Sequence, residues 1–415
     1  MTKSDYRPQT GYRDTRFLTD KLVSRQMLDA EEYRLLLECD NTDEIRYLHE
    51  AARETAVRRF GNEIYIRGLL EFTNICRNDC LYCGIRRSNR KPARYCLSIE
   101  DIMDCCRKGY SLGFKTFVLQ GGELPDPCDM LIENICSAIR SEFPDCAITL
   151  SVGERNDESY RRFFDAGATR YLLRHETHNP EHYSRLHPSS MSLTRRLHCL
   201  DVLKSIGYQT GTGFMTGSPF QTISNIVEDI LFIQSFRPEM IGIGPYIPHK
   251  DTPLGKLCKP RRRAKCNGMI EPAGKTEGVS KIKQVRMIEP VSMTLRLISI
   301  FRLMFPDALI PATTALASLP VPQNVYNLFN SARQRESSDL LHDCSGRELG
   351  ILAGANVVMP NISPENVRGI YSIYENKASS GAESAEGIQL LNDALEQIGY
   401  KISFSRGDYQ TRELF

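Results

Sequence analysis

Three cysteines, Cys76, Cys80 and Cys83, stand in the run CRNDCLYC with three and then two residues between them. Cysteine thiolates are the usual ligands of iron–sulfur clusters, normally four to a cluster. Three on one short loop can hold three irons of a cubane and leave the fourth open. An open metal position marks a catalytic rather than a structural site. Thiolate softness selects iron–sulfur or zinc over hard cations. A structural zinc site asks for a fourth Cys or His close by, and the next cysteine is Cys96. The spacing points to a redox cluster with one iron free to take a ligand.

Polar residues also follow other short apolar runs. Gln120-Gly121-Gly122-Glu123 offers a backbone that a ligand can approach closely and a carboxylate that can accept from an ammonium. Thr149 and Ser151-Val152-Gly153-Glu154 follow, then Arg174-His175-Glu176-Thr177, then Thr313 and Thr314, then Met359-Pro360-Asn361. Hydroxyls, a guanidinium and carboxylates gathered at one mouth would suit a small zwitterionic ligand. His175, His178, His182, His187 and His198 crowd one stretch at irregular spacing. That irregularity favours solvated or structural histidines over a metal site.

These residues need elements to carry them. The runs at 63–72, 115–120, 147–152, 170–174, 209–215, 240–244, 308–312 and 356–360 read as strands, with amphipathic helical patterns between them. Helices are expected at 98–113, 194–207, 221–236 and 290–305. Eight alternating units predict a parallel (β/α)8 barrel, whose chemistry gathers at the carboxyl ends of its strands. A doubly wound open sheet is the alternative architecture. Residues 28–60 read as two helices, the second opening at Thr42-Asp43 and stopping at Gly61.

The expected organisation is a helical extension over 1–60, a barrel over 61–375, and a C-terminal segment over 376–415. Residues 255–290 and 316–345 break the strand–helix rhythm as insertions, and long loops of this kind are lids or solvated segments. The chain has 415 residues and a net charge of +2, so no global field argues for nucleic acid or a membrane. No apolar run approaches the roughly 20 residues that span a bilayer. Of the 14 cysteines, Cys105, Cys106, Cys128, Cys136, Cys146 and Cys199 sit in amphipathic runs as buried thiols. With no secretory leader recognisable, an intracellular, reducing and anaerobic setting is expected, either cytoplasm or the matrix of a hydrogenosome or plastid.

The cysteine spacing, with Tyr82 before the last cysteine, resembles the signature of the radical S-adenosylmethionine (SAM) superfamily, and Gly121-Gly122-Glu123 looks like its GGE motif. Within that superfamily the chain resembles the FeFe-hydrogenase maturase family HydE. The matching stretches include RGLLEFTNICRNDCLYCGIRR (67–87), RYLLRHET (170–177), IGIGPYIPH (241–249) and IPATTA (310–315). The last three set it apart from biotin synthase and methylornithine synthase.

The resemblance implies one 4Fe–4S cluster on Cys76, Cys80 and Cys83, since no cysteine follows Cys344 to hold a second. It implies SAM contacts from Glu123, Ser151, Glu176 and Arg196, or from Arg195 beside it. Arg174 is expected to bind the substrate carboxylate, with Thr149, Thr313, Thr314, Met359 and Tyr371 lining the substrate cavity. The implied reaction cleaves SAM reductively and directs the 5′-deoxyadenosyl radical at a cysteine-bound iron dicarbonyl cyanide complex, during assembly of the hydrogenase H-cluster. The implied partners are the maturases HydG and HydF, and a ferredoxin or flavodoxin as electron donor. Two other functions fit the residues. One is a radical SAM enzyme of the methylornithine synthase or biotin synthase type, acting on a small amino acid or thiol. The other is a non-enzymatic iron–sulfur or zinc module.

Overall fold

The computed structural model describes residues 14–258, 288–329 and 344–410. Its strands are β1 (Glu63–Ile66), β2 (Gly68–Thr73), β3 (Thr116–Gly121), β4 (Ala147–Ser151), β5 (Ala168–Leu172), β6 (Gln209–Thr212), β7 (Met215–Thr216), β8 (Met240–Ile241), β9 (Gly244–Pro245), β10 (Val357–Val358) and β11 (Lys401–Ser403). A parallel six-stranded sheet runs β2-β3-β4-β5-β6-β8. Single parallel bridges then carry it round, from Met240 to Leu309, from Pro311 to Val357 and from Leu69 to Asn361. With β10 paired to β1, which leads directly into β2, the ring closes. The architecture is an eight-stave (β/α)8 barrel, and the open-sheet alternative falls.

Several expected strands are built from shorter pieces. The run 63–72 divides at Arg67, where one edge changes neighbour from β11 to β3. The run 308–312 contributes single bridges rather than a continuous ladder. The run 209–215 divides into β6 and β7 at Gly213, where a Cβ would sit 2.1 Å from the Gly242 carbonyl oxygen.

The helices fall at Ile99–Ser111, Leu193–Ile206, Ile223–Phe236 and Pro290–Met304, close to the expected ranges. Ahead of the barrel, Ala30–Glu38 starts at an Asp29–Glu32 capping box. Thr42–Phe60 is capped by Asn41, whose side chain accepts from the Asp43 and Glu44 amides, rather than by Thr42-Asp43. Gly61, at φ +64°, ends it. An unexpected third helix, Arg16–Arg25, precedes them. These helices share one continuous apolar core with the barrel. Tyr33 Oη donates to Gln234 Oε1, and Arg296 donates to the Leu36 and Leu37 carbonyls.

Most of the two expected insertions, 259–287 and 330–343, lies outside the described residues. The described start of the second forms short helices, Thr314–Ala317 and Gln323–Tyr326, with Leu316 and Val325 buried. In the C-terminal segment, β11 pairs in parallel with β1, and Asp408 forms an ion pair with the fully buried Arg170. Cys105, Cys106, Cys136, Cys146 and Cys199 are buried free thiols, and Cys128 is a half-buried one. No described helix is long and apolar enough to cross a membrane.

Candidate active site

The cysteine loop leaves the carboxyl end of β2, where barrel chemistry is expected. Backbone bonds clamp it from several sides. The Arg77 amide donates to the Glu123 carbonyl, Leu81 to Leu186, and Gly84 to Ile373. The GGE turn lies against its start so closely that a Cβ on Gly122 would stand 2.2 Å from the Ile75 carbonyl oxygen. Cys76, Cys80 and Cys83 thereby line one cavity of about 320 Å3, within the usual range of roughly 300–1,000 Å3 for small-molecule sites.

Glu123, Ser151, Arg174, Glu176, Arg196, Thr313, Thr314, Met359 and Tyr371 line that same cavity. Thr149 stands two residues before Ser151 on β4 and shares its face. Its hydroxyl is buried with no hydrogen-bond partner, as is that of Thr313. Tyr371 is buried and its hydroxyl accepts from Gln120 Nε2 at 3.4 Å.

The charged groups are held in pairs. Arg174 places both Nε and Nη2 at 3.0 Å from Glu176 Oε1. Glu176 Oε2 is buried and unpartnered. Glu176 has φ +66°, a left-handed backbone that side chains rarely adopt and that tends to occur at functional sites. Arg196 donates from Nε to Glu154 Oε1 at 2.6 Å and from Nη1 to the Arg174 carbonyl at 2.8 Å. Arg195 turns instead toward the Arg155 carbonyl and Asp157, so Arg196 is the cavity-lining member of that pair.

The Glu123 carboxylate is already engaged. Oε1 accepts from Arg77 Nε and Oε2 from the Glu154 amide, each at 2.8 Å. A Cβ on Gly153, at φ +80°, would collide with Oε2 at 2.1 Å. Glu123 therefore braces the cysteine loop against the end of β4, and an ammonium would have to share its oxygens with these donors.

Burial pushes the Cys76 and Cys80 thiols up, and pushes Cys83 up to about 12. Repulsion among the three adds to the effect at Cys80. Thiols held this way are relieved by binding metal as thiolates. Among the described residues, no three His, Cys, Asp or Glu side chains converge on a single ion. Three soft thiolates on one cavity wall, with no fourth protein ligand beside them among the described residues, are a donor set that would fit an iron–sulfur cluster.

The histidines of this stretch are engaged with separate partners in the fold. His175 lies between Thr212 Oγ1 and Asp229 Oδ1, at 3.0 and 3.3 Å, with all of them buried. Burial pushes His175 down to about 3 and pushes Asp229 up, so both favour the neutral form. His182 and His187 bond the Pro219 and Tyr183 carbonyls, while His198 is exposed beside Asp157.

Two site residues escaped the sequence reading. Lys377 lines the cavity and pairs with Glu71 at 2.7 Å. Glu71 is fully buried on β2 and also accepts from Asn361 Nδ2 at 2.9 Å. A charged residue inside the apolar run 63–72 was the available signal for Glu71. Nothing marked Lys377.

Comparison with known proteins agrees with this geometry. The radical SAM superfamily model matches residues 70–233. The FeFe hydrogenase maturase subunit HydE of Thermotoga maritima is 36% identical over 85% of this chain and 86% of its own. The 3-methylornithine synthase of Methanosarcina acetivorans is 25% identical over 72% of this chain and 77% of its own. The crystal structure of a methylornithine synthase superposes with a TM-score of 0.70 at 22% identity, covering 93% of this chain and 97% of that one, which supports the barrel fold. Membership of this superfamily implies a 4Fe–4S cluster and SAM as cofactors. The chain is a radical SAM enzyme and belongs to the HydE family of FeFe-hydrogenase maturases.

Proposed function

We propose that this enzyme acts on a cysteine-bound iron dicarbonyl cyanide complex, delivered by HydG, and makes an iron precursor for the binuclear part of the hydrogenase H-cluster. The observation that carries the reading is the Arg174–Glu176 pair at the wall of the cysteine-lined cavity. It offers a cation for a substrate carboxylate and a spare buried oxygen for a cofactor hydroxyl.

Cys76, Cys80 and Cys83 would hold a single cluster. When bound, the reduced cluster would give one electron to the SAM sulfonium, breaking its S–C5′ bond to leave methionine and a 5′-deoxyadenosyl radical, which in this reading would act on the substrate's cysteine sulfur. Glu176, whose Oε2 is buried without a protein partner, would accept from the SAM ribose. Arg196, locked by Glu154 and the Arg174 carbonyl, presents a fixed positive edge to the same cofactor. Ser151 and the GGE turn complete the cofactor side. Arg174 Nη1, which has no protein partner among the described residues, binds the substrate carboxylate. Thr149, Thr313 and Thr314 offer hydroxyls, and Met359 and Tyr371 close the wall. HydG and HydF are transient partners, and a ferredoxin or flavodoxin is the electron donor, in a reducing, anaerobic compartment.

The test is anaerobic reconstitution followed by electron paramagnetic resonance with and without SAM, then activation of FeFe-hydrogenase in a maturation mixture. A reduced-cluster signal that shifts on adding SAM, together with hydrogenase activation that requires this protein, is the expected result. A signal indifferent to SAM overturns the cofactor arrangement. SAM cleavage coupled to a rearranged amino acid, with no hydrogenase activation, moves the substrate to the methylornithine synthase type.

A further inference from the structure

The backbone that leaves Cys83 runs at once into an unusually basic stretch. Residues 84–94 read GIRRSNRKPAR, five cations and no carboxylate, in a chain whose net charge is +2. This stretch is folded onto the cysteine loop. The Arg86 amide donates to the Cys83 carbonyl at 3.2 Å and the Arg87 amide to Asn78 at 2.8 Å. Asn89 Nδ2 donates to the Gly84 carbonyl at 2.7 Å. Arg94 spends its guanidinium on four carbonyls, those of Asn74, Ile85, Arg86 and Asn89.

The charge is only partly neutralised in place. Arg86 pairs with Asp79, and Lys91 pairs with Asp251. Arg94 meets carbonyls alone. Arg87 and Arg90 are exposed and have no carboxylate partner among the described residues. Ile75, 37% exposed, sits between Cys76 and the Asn74 whose carbonyl Arg94 holds. An exposed apolar residue and unpaired arginines therefore lie within a few residues of the cysteines that face the cavity.

We infer that this face, formed by Ile75, Arg87, Arg90 and Arg94, is where an acidic one-electron carrier protein docks to reduce the cluster. The inference rests on the cluster reading above. SAM cleavage consumes one electron per turnover, so the carrier is oxidised by one electron as the cluster is reduced by one. A carrier must approach the cluster from outside the barrel, and the loop bearing Cys83 is the backbone joining the cluster to this surface. Weak electron-transfer encounters bury small interfaces, below about 1,200 Å2, and draw on complementary charge for their association rates. The exposed, unpaired Arg87 and Arg90 supply that charge, beside an Arg94 whose guanidinium is fixed by carbonyl bonds.

The test uses the reconstituted enzyme and an acidic ferredoxin as probe. Titration of ferredoxin into wild type should give an affinity that falls steeply with salt. The double variant Arg87→Glu/Arg90→Glu should bind at least tenfold more weakly and lose most of the salt dependence. Ferredoxin-driven formation of 5′-deoxyadenosine should fall at least fivefold in that variant, while dithionite-driven formation stays within twofold of wild type. The control Arg58→Glu lies in the helix Thr42–Phe60, which leads into the opposite end of the barrel, and should change neither.

Equal ferredoxin binding in wild type and double variant overturns the surface. A matching loss with dithionite also overturns it, because the arginines would then be supporting the loop; Arg87→Gln/Arg90→Gln repeats the comparison with less perturbation. If wild type fails to cleave SAM even with dithionite, the function proposed above falls, and the ferredoxin titration still decides the docking face.

Discussion

Arg174 grips Glu176 by one oxygen. Its Nε and Nη2 both lie 3.0 Å from Oε1, while Oε2 is buried at the cavity wall with no protein partner. A buried carboxylate oxygen left unbonded is costly, and the cofactor contact proposed above would relieve it at this left-handed backbone position. Glu176→Gln preserves shape and much of the contact to Arg174 but removes the charge. Hydrogen bonds to charged groups are worth about 1.5–3 kcal/mol, so the SAM dissociation constant should rise by about 10- to 100-fold. Titration of SAM against the cluster signal measures it. An unchanged constant would mean that SAM does not use this oxygen.

The Thr313 hydroxyl makes the opposite kind of prediction for stability. Its Oγ1 is buried without a protein partner, as is that of Thr149. An unsatisfied buried polar group costs about 1–3 kcal/mol. Thr313→Val removes the cost and nearly preserves shape, so the urea midpoint of substrate-free protein should rise. Substrate-dependent turnover should fall while substrate-free SAM cleavage persists. A lower midpoint in the valine variant would show that the hydroxyl is bonded in the fold.

The barrel and the cysteine-lined mouth were legible for a physical reason. Buried parallel strands are short apolar runs, and the polar residues that follow them stand out in sequence, as Arg174 and Glu176 do after β5. What stayed hidden depends on contacts between distant segments. Glu71 in an apolar run looks like a solvent-facing residue until Lys377 and Asn361 are seen against it. Strand β11 needs β1 as its partner, and its sequence alone is too short to announce it. Arg195 and Arg196 are indistinguishable in sequence because the helix Leu193–Ile206 alone decides which of the two faces the barrel.

Lys377 and Glu71 should behave as a unit. Burial pushes Glu71 above the ordinary carboxylate range even with the Lys377 ammonium at 2.7 Å. Lys377→Met strands that carboxyl, and breaking a buried pair by removing one partner costs about 3–5 kcal/mol. Adding Glu71→Gln keeps an acceptor for Asn361 and removes the stranded charge. The double variant should therefore recover much of the loss, which a urea-denaturation double-mutant cycle measures directly. Simple additivity of the two single changes would show that the residues are not coupled.

Stability should also fall on mild acidification, and His49 supplies part of the reason. It is buried, with Nδ1 2.8 Å from Ser299 Oγ and its ring stacked on Phe329 at a centroid distance of 4.6 Å. Burial pushes its pKa down to about 3, with the nearby Arg296 charge acting in the same direction. The unfolded chain takes up the proton near pH 6.5, well before the folded one does. The contribution of a neutral His49 is therefore fully present above pH 6.5 and is lost progressively as the pH falls from there toward 3. At pH 5.5 the loss amounts to roughly 1 kcal/mol. His49→Gln, neutral at every pH, should reduce the difference in unfolding free energy between pH 7.5 and 5.5 by about that amount. The same pH difference in wild type and variant would mean that His49 takes its proton inside the fold.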